Sequence, residues 1–347
     1  MSTNQWAERG LRLWRGIQAA VTLEHNYRAT DIDYRQFLSE LRQSRISNAH
    51  LAKLKKCKVS AEHTPPPQTT TVVWENVHCA LLAQDIAPLD AKRLNRRCIS
   101  WQSGIYCAGN GDIIQGYDAG GHAFLGKALK KRKKDGTVSK SAAEANGDRP
   151  YAVTSTYLGQ RHCLSFPNSM RDFGLCKGVH GTLVGSDPPL NWHEPAGDET
   201  VQMPGVLFFD VPTFTGRYPG LPPRMVPMYP HMSPVRSLPG LAGRFKVKYF
   251  QTRSDESCTF HKIQGQTLGT IAVHSVAPSN DRENSAYVAF SRVRDWKSLF
   301  LYPQVTLTED SLLGKVNATT GLRRNEVLHA ELVRLNSPPP HFVCADD

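Results

Sequence analysis

Residues 258–302 read CTFHKIQGQTLGTIAVHSVAPSNDRENSAYVAFSRVRDWKSLFLY, and this stretch decides the predicted fold. It holds two short apolar runs, Cys258–Phe260 and Ala286–Phe290, each followed by polar and basic residues. A third run, Ser298–Tyr302, closes the stretch. Runs of this length are too short for a typical helix and fit strands of a sheet that is covered on both faces. We therefore predict buried strands whose carboxyl ends carry functional side chains.

The residues that follow these runs fit recognition of a phosphoryl group. Arg292, delivered by a rigid strand, offers a planar and permanently charged donor fork, which suits a phosphate better than a mobile lysine. Gly265 has no side chain, so the backbone there can come close to an anion. The sequence therefore predicts a phosphate contact at this edge of the sheet.

Two motifs in this stretch resemble a known family. Thr259–Thr267 (TFHKIQGQT) and Ala286–Arg294 (AYVAFSRVR) match, in order and spacing, the motifs THKSQGQT and YVALSR. These are the late motifs of superfamily 1 DNA helicases of the Pif-one type, including the helicases of Helitron transposons. Ile263 replaces the usual serine, which removes a hydroxyl that can face nucleic acid, and Phe290 conservatively replaces the usual leucine.

An earlier segment resembles the part of the family that follows the first motor domain. Leu11–Trp14 and the strand-like run Ala19–Leu23 lead into Arg28, although residues 24–25 depart from the usual pattern. The resemblance implies that Arg28 reaches the γ-phosphate of the nucleotide from the second motor domain. Taken alone, Arg28 is better explained as a solvated surface arginine.

A glycine-rich stretch, Tyr157–Gly185, resembles the family segment that forms a small β-barrel inserted in the second motor domain. The positions that match are Asn168, Gly174, Leu175, Gly178, Gly181, Thr182 and Val184. Glycines at these intervals between short apolar runs suit tight β-turns. The resemblance implies that this barrel guides a single DNA strand.

Two helices are predicted between these pieces. In the first, Thr30 and Asp33 form a capping box. Its apolar face consists of Tyr34, Phe37, Leu38 and Leu41. The second helix, Asn48–Cys57, has Ser47 as its cap and Leu51 and Leu54 turned inward.

A run that ends in Asn95, Arg96 and Arg97 also resembles the family. These three residues have two equally good interpretations, contact with a DNA backbone or a solvated helix end.

Composition and charge limit the classes of protein. Forty-two Lys and Arg against thirty-one Asp and Glu give a net charge of +11, which fits a polyanionic partner such as nucleic acid.

The eight cysteines include no C-x-x-C pair, so we expect reduced thiols and no metal site. No apolar run approaches the length of a membrane span. The basic run Lys127–Lys134 predicts nuclear targeting or a nucleic-acid patch, with a solvated loop as the alternative.

The parts that hold ATP and Mg²⁺ in a motor are not found in the sequence. Residues 121–128, GHAFLGKA, approach the phosphate-loop pattern G-x-x-x-x-G-K-[ST], but Ala128 lacks the required hydroxyl and no apolar strand precedes the loop. Neither Asp198-Glu199 nor Asp255-Glu256 follows a buried strand. Since the chain starts where the first motor domain of the family ends, we expect only the second half of a motor.

The resemblance implies an α/β fold, a second RecA-like motor domain with a parallel sheet, flanking helices and an inserted small β-barrel. Its expected parts are the arginine segment and helix pair (1–60), a proline-rich linker (61–70), a continuation of the motor domain (71–98), an insertion with the basic run (99–156), the barrel (157–245), the late motifs (246–310) and a helical tail (311–347, with its helix at Asn325–Leu335).

The implied function is the C-terminal half of an ATP-dependent 5′–3′ DNA helicase, inactive alone. Arg28 and Arg292 would contact the γ-phosphate. The residues that would couple the nucleotide to DNA are Thr259, His261, Lys262, Gln264, Gly265, Gln266 and Ser291. Further contacts to a DNA backbone would come from Asn95, Arg96, Arg97 and Arg294.

The implied cofactors are ATP and Mg²⁺, both conditional on a first motor domain. The implied partners are single-stranded DNA and that missing or separate domain, with no membrane and no small-molecule substrate beyond ATP. The alternative function is a non-catalytic module, derived from a helicase, that binds single-stranded nucleic acid or a partner protein.

Overall fold

The computed structural model of the protein describes residues 9, 28–74, 76–114, 127–128, 150–190, 192, 198–238, 241–275, 285–313, 316, 321–323, 326–327 and 330. The chain forms two compact units. The first unit combines Met1–Pro65 with Phe260–Asp347, and the second is the continuous segment Pro66–Thr259. The chain passes from the first unit to the second within the proline run, between residues 65 and 66. It returns to the first unit within the TFHKIQGQT motif, between residues 259 and 260.

Strands dominate the middle of the chain, and the helices lie before and after them. The α-helices with defined bounds are α1 (Ile32–Arg42), α2 (Asn48–Lys56), α3 (Asn76–Arg93), α4 (Phe260–Ile263), α5 (Ser285–Phe290) and α6 (Glu309–Leu313). The 3₁₀ turns are Asn168–Phe173 and Trp296–Ser298. The strands are β1 (Thr70–Val73), β2 (Cys98–Gln102), β3 (Gly104–Cys107), β4 (Lys127–Ala128), β5 (Val153–Thr156), β6 (Arg161–Leu164), β7 (Val179–Asp187), β8 (Asp198–Thr200), β9 (Val206–Asp210), β10 (Met225–Met228), β11 (His231–Met232), β12 (Arg236–Leu238), β13 (Leu241–Tyr249), β14 (Thr252–Ser254), β15 (Ser257–Thr259), β16 (Ile271–Val273) and β17 (Leu299–Leu301).

The first unit is built on α1 and a parallel strand pair. The predicted apolar face of α1, Tyr34, Phe37, Leu38 and Leu41, is buried as expected. Trp296 packs on Phe37 with ring centroids 4.6 Å apart, and its Nε1 donates to Asp33 Oδ2 at 2.7 Å. β16 and β17 pair in parallel with every residue buried. β17 lies within the predicted run Ser298–Tyr302 and is fully covered, as expected, whereas β16 was not predicted.

In the second unit, β1 and β15 form another parallel pair, with Thr71 opposite Ser257. Ser257 Oγ donates to the Cys79 carbonyl of α3 at 2.7 Å, so the helix is tied to this pair. A three-stranded sheet in the order β5-β2-β8 lies in the same unit. The two parallel pairs with their helices establish an α/β fold.

The rest of the second unit is antiparallel. One five-stranded sheet has the order β10-β9-β7-β6-β14, and its core includes Leu164, Leu183 and Phe209. A second sheet has the order β11-β13-β12-β4, with β3 paired to β13. Gly174 has φ +79°, and a Cβ there would come 1.8 Å from the Thr213 carbonyl oxygen, so this turn requires glycine. The insertion expected at 99–156 contributes β3 and β4 to the second of these sheets.

Three predictions of local structure were wrong. Ala286–Phe290, predicted as a strand, is the helix α5. Its buried residues, Ala286, Ala289 and Phe290, follow the i, i+3, i+4 spacing of a helix, which a run of only five apolar residues hides. The run Cys258–Phe260 is divided, because β15 ends at Thr259 and α4 begins at Phe260. The cap of α1 is Asp31, whose Oδ1 accepts from Tyr34 N at 3.1 Å, and not Thr30.

Other predicted elements agree or lie outside the described residues. The second helix is α2, capped by Ser47 with Leu54 buried, whereas Leu51 is only half-buried. The strand-like run Ala19–Leu23 and residues 121–126 and 129–134 are outside the described residues. The same holds for most of the tail helix predicted at Asn325–Leu335.

Candidate functional site

The loop after α4 carries most of the polar side chains of the first motif. His261 and Lys262 lie on α4, and Gln264, Gly265 and Gln266 follow it. Gly265 has φ +85°, a conformation that favours glycine, and it turns the chain out of the helix. Gln266 is held back on α4, because its Nε2 donates to the Lys262 carbonyl at 2.8 Å.

The end of α5 positions Arg292 through three hydrogen bonds. Its Nε donates to the Val288 carbonyl at 2.8 Å, its Nη2 to Ser291 Oγ at 2.7 Å, and its Nη1 to the Gln266 carbonyl at 3.3 Å. The Arg292 carbonyl accepts from Leu268 N at 2.9 Å. Arg292 is only 8% exposed. The two late motifs are thus joined at this arginine.

Arg28 comes to the same place from the other end of the chain. Its Nε donates to Thr267 Oγ1 at 2.9 Å and its Nη1 to the Ser291 carbonyl at 2.9 Å. Arg28 and Arg292 therefore both bind Ser291, one through its carbonyl and the other through its hydroxyl. We call this cluster of Arg28, Gln266, Thr267, Ser291 and Arg292 the arginine cluster.

The electrostatics of the arginine cluster favour an anion. Burial lowers the pKa of Arg292 from its ordinary value, and the positive charge of Arg28 lowers it further. Two guanidinium groups placed side by side repel each other, and a bound anion relieves that repulsion. Guanidinium groups also match the geometry of phosphate oxygens. The arrangement therefore suits recognition of a phosphate.

The other predicted site residues are distributed differently. His261 and Gln264 are exposed in the first unit, and Lys262 is half-buried. The side chain of Arg294 is exposed, while its carbonyl accepts from Thr30 N at 3.1 Å. Thr259 is 5% exposed and belongs to the second unit.

Asn95, Arg96 and Arg97 also belong to the second unit, just after α3. Asn95 has φ +52°, and Arg96 Nη1 donates to the Leu158 carbonyl. Arg96 is thus tied to the turn before β6.

Sequence reasoning missed two residues that shape the arginine cluster. Thr267 is the last residue of the first motif and was given no role from the sequence, yet its Oγ1 accepts a hydrogen bond from Arg28. Tyr34 is predicted as a core residue, and its hydroxyl donates to the Phe290 carbonyl at 2.8 Å, at the end of α5. A buried tyrosine hydroxyl usually has a hydrogen-bond partner, so the predicted burial of Tyr34 was the sequence feature that could have indicated this contact.

Membrane spans and metal clusters are both absent from the described part of the chain. No helix there is both long and apolar enough to cross a membrane. Among the same described residues, no group of three or more His, Cys, Asp and Glu side chains is arranged to hold a metal ion.

The parallel pairs and the flanking helices define an α/β fold. Comparison with solved structures identifies proteins that share this fold. Pif1 helicase from Bacteroides, in complex with ADP-AlF3 and ssDNA, matches 96% of this chain with a TM-score of 0.51 and 14% identity. Pif1 helicase from Candida albicans matches 88% with a TM-score of 0.48 and 13% identity. Bacteroides Pif1 bound to ssDNA matches 89% with a TM-score of 0.45 and 13% identity.

The first of these similarities shows that the chain shares its fold with part of a Pif1 helicase. The chain spans 63% of the length of the first structure, 58% of the second and 60% of the third. No protein-family model matches the sequence, and no curated protein matches it. The α/β fold with a parallel sheet and flanking helices, which the two late motifs led us to expect, is thereby confirmed.

Proposed function

We propose that this chain is the second-motor portion of an ATP-dependent DNA helicase that unwinds DNA in the 5′–3′ direction. The observation that carries the proposal is the meeting of Arg28 and Arg292 on Ser291. Arg28 and Arg292 contact the γ-phosphate of an ATP molecule that another motor domain holds. Their charge stabilises the transferring phosphoryl group, which is the work that arginine fingers do in related motors.

Phosphate binding would rearrange the arginine cluster. Each guanidinium nitrogen of Arg292 already donates to an oxygen of the protein. The bond to the Gln266 carbonyl is the longest of the three, at 3.3 Å, and is the first to be exchanged for a phosphate oxygen. This exchange would release the loop that carries Gln264 and Gln266, so nucleotide binding is transmitted to residues that face DNA.

The residues proposed to take up that signal are Thr259, His261, Lys262, Gln264, Gly265, Gln266 and Ser291. Lys262 meets a DNA phosphate, and Gln266 donates to a backbone oxygen. Asn95, Arg96, Arg97 and Arg294 add contacts to the DNA backbone. The antiparallel sheets of the second unit take the place of the strand-guiding barrel.

ATP and Mg²⁺ are held in this proposal by a first motor domain, supplied by another polypeptide or another part of the protein. Asp255 and Glu256 have other roles here. Asp255 Oδ2 binds His180 Nδ1 at 2.6 Å, and Glu256 is buried and accepts from Gln160 Nε2 at 2.6 Å. A magnesium site needs carboxylate oxygens that are open to the ion and to substrate phosphates.

The second candidate function is a non-catalytic module that binds single-stranded nucleic acid. The observation that favours it is that Arg292 is satisfied by the protein itself and nearly buried. In that case the net charge of +11 serves nucleic-acid binding, and the arginines only stabilise the fold.

ATP hydrolysis separates the two candidates. We expect no turnover by the chain alone with single-stranded DNA, and turnover when a separately expressed first motor domain is added. In that mixture, Arg292→Lys should lower the rate by about 10³-fold, because lysine keeps the charge but lacks the planar fork. Arg42→Ala, which changes an exposed arginine on α1, is the matched control and should leave the rate unchanged.

Three results would count against the helicase proposal. Turnover by the chain alone would place a complete phosphate site within it. Equal rates of ATP hydrolysis with Arg292→Lys and with the parent chain would show that the guanidinium group of Arg292 does not act in the reaction. Failure of the mixture to hydrolyse ATP, while the chain still binds single-stranded DNA, would leave the non-catalytic function.

A further inference from the structure

A row of three side chains crosses β7, β6 and β14, which are neighbours in one five-stranded sheet. The antiparallel register puts Cys163 of β6 opposite His180 on one side and opposite Arg253 on the other. Directly opposed residues share a face of the sheet, and the row spans about 10 Å. All three residues are half-buried, whereas His162 and Leu164, which flank Cys163 along β6, are buried. The thiol of Cys163 therefore lies on the outer face, between an imidazole and a guanidinium group.

The ladder brings Cys163 especially close to His180. Leu183 N donates to the Gln160 carbonyl at 3.0 Å, and hydrogen-bonded pairs recur at every second position of an antiparallel ladder. Counting from Gln160, Cys163 and His180 form a non-hydrogen-bonded pair. The Cα atoms of such a pair are about 4.5 Å apart, and its side chains are closer than those of a hydrogen-bonded pair.

Asp255 fixes the ring of His180. His180 Nδ1 lies 2.6 Å from Asp255 Oδ2, and Arg161 Nη2 lies 3.8 Å from the same oxygen. The hydrogen bond to Asp255 raises the pKa of His180 above its ordinary value, while burial and the charge of Arg161 lower it in part. The side chain of His180 is 43% exposed, and its Nε2 forms no hydrogen bond with the residues that the structure describes. The protonated ring therefore presents an N–H at Nε2 to solvent.

The buried hydroxyl of Tyr151 shows that the thiol and the guanidinium group are close to each other. Burial raises the pKa of Tyr151, the charge of Arg253 lowers it, and Cys79 of α3 and Cys163 raise it. Tyr151 is thus within the electrostatic reach of both Arg253 and Cys163. Together with the two cations beside Asp255, this places three cationic groups, one carboxylate and one tyrosine hydroxyl around the thiol.

We propose that Cys163 is a site of reversible thiol modification by small disulfides that carry carboxylates. Neighbouring cations favour the thiolate, which is the form of cysteine that attacks a disulfide. Arg161 and Arg253 suit the carboxylates of the disulfide, and Asp255 orients His180 as the proton donor. This inference goes beyond the proposed function, which does not use the thiol.

The modification is a thiol–disulfide exchange. The thiolate of Cys163 attacks one sulfur of the small disulfide, a new S–S bond forms, and the old S–S bond breaks. The sulfur of Cys163 is oxidised and the leaving sulfur is reduced. The leaving thiolate takes the proton from Nε2 of His180, so the imidazolium becomes neutral. The products are a mixed disulfide on Cys163 and a small thiol, and attack by another thiolate reverses the step.

Reaction of the reduced full chain with glutathione disulfide, whose two halves carry carboxylates, tests the site. Peptide mass spectrometry measures the mixed disulfide at each cysteine over time. The matched control is Cys107, which is also half-buried but lies opposite Phe245. At about pH 6.5 Cys163 should react about 5- to 50-fold faster than Cys107, because an ordinary thiol is only about 1% thiolate there.

His180→Gln tests the role of the imidazole in the folded chain. It should move the pH midpoint of the reaction at Cys163 upward by about 1 unit and leave the reaction at Cys107 unchanged. Asp255→Asn should act in the same direction, because His180 loses its charged partner. A general loosening of the fold would instead increase the reaction at both cysteines. Circular dichroism spectra equal to those of the parent chain would show that each variant folds.

Arg253→Gln provides a second test that does not alter the imidazole. It should slow the reaction of Cys163 with glutathione disulfide more than the reaction with hydroxyethyl disulfide, which is neutral. The difference should disappear at high salt.

Two results would overturn the inference. One is equal reaction of Cys163 and Cys107 in the parent chain. The other is a reaction at Cys163 that keeps its pH profile in His180→Gln and its preference for the anionic disulfide in Arg253→Gln. Neither ATP nor DNA enters these measurements, so either result leaves the proposed function untouched, and failure of the proposed function leaves this test unchanged.

Discussion

The carboxyl group of Glu256 is buried in a network of polar side chains just before β15. Tyr157 Oη donates to its Oε1, while Gln160 Nε2 at 2.6 Å and Ser254 Oγ at 3.3 Å donate to its Oε2. Burial raises the pKa of Glu256 to about 7, the hydrogen bonds from the network lower it in part, and the charge of Asp90 raises it. The backbone carbonyl of Glu256 accepts from Thr71 N at 2.8 Å, next to the parallel pair.

The raised pKa of Glu256 makes stability depend on pH. The folded chain keeps the proton up to about pH 7, whereas the unfolded chain loses it at the lower, ordinary value, so stability falls as the pH rises through this window. Glu256→Gln, which resembles the protonated acid, should be more stable than the parent chain by about 3 kcal/mol at pH 8 and by less than about 1 kcal/mol at pH 5. Urea unfolding at both values measures this.

His162 lies in the same network and provides an internal check. Burial lowers its pKa to about 4, so it destabilises the fold as the pH falls below the ordinary histidine range. The effect of His162 is present in both the parent chain and Glu256→Gln, so it cancels when their unfolding free energies are subtracted. A difference between Glu256→Gln and the parent that does not change with pH would show that Glu256 is ionised in the fold.

At the scale of elements, the start of α1 shows how close neighbours compete for one role. Thr30 and Asp33 have the letters of a capping box, but Asp31 takes the cap because its backbone is extended and its carboxylate reaches Tyr34 N. Asp33 instead binds Lys53 Nζ at 2.6 Å and Trp296 Nε1 at 2.7 Å. Asp33 therefore makes tertiary contacts instead of taking part in a capping box.

A pair of alanine variants distinguishes the two caps. Asp31→Ala should lower the free energy of unfolding by about 1 kcal/mol, because Tyr34 N loses its acceptor. Thr30→Ala should change it by less than about 0.5 kcal/mol, since the structure uses only the backbone of Thr30 there, in a bond to the Arg294 carbonyl. Chemical denaturation of both variants is the measurement. A larger loss of unfolding free energy for Thr30→Ala than for Asp31→Ala would show that Thr30 is the cap after all.

At the scale of the whole molecule, the cysteines that the structure describes are dispersed along the chain as reduced thiols. The described ones are Cys57, Cys79, Cys98, Cys107, Cys163, Cys176 and Cys258. Four of these are buried, and burial raises the pKa of Cys57 to about 12. A raised pKa suppresses the thiolate, so Cys57 is a poor nucleophile in the folded chain.

A thiol titration tests this distribution. The unreduced, denatured chain should react with a thiol reagent at all eight cysteines of the sequence. The folded chain should react quickly only at exposed and half-buried positions, and the thermal unfolding midpoint should be the same with and without reductant. Fewer than eight reactive thiols after denaturation would reveal a disulfide and contradict the prediction.

Much of the fold was accessible from the sequence because it depends on local chemistry. The apolar face of α1, the cap of α2, the covered strand β17 and the resemblance of the two late motifs all follow from neighbouring residues. The antiparallel pairing of β3 with β13 does not, because the partners are far apart in the chain and β3 lies in a stretch with no clear pattern. The helix α5 was missed because five apolar residues carry too little periodicity.

The sequence by itself determined which residues could recognise a phosphate, since the guanidinium forks of Arg28 and Arg292 and the bare backbone of Gly265 are properties of those amino acids. Only the tertiary structure decided that the two arginines share Ser291, a residue 263 positions from Arg28. It also decided that Cys163 lies between His180 and Arg253 on one face of a sheet. Contacts between distant segments depend on how the strands pair and pack, and no local pattern encodes that choice.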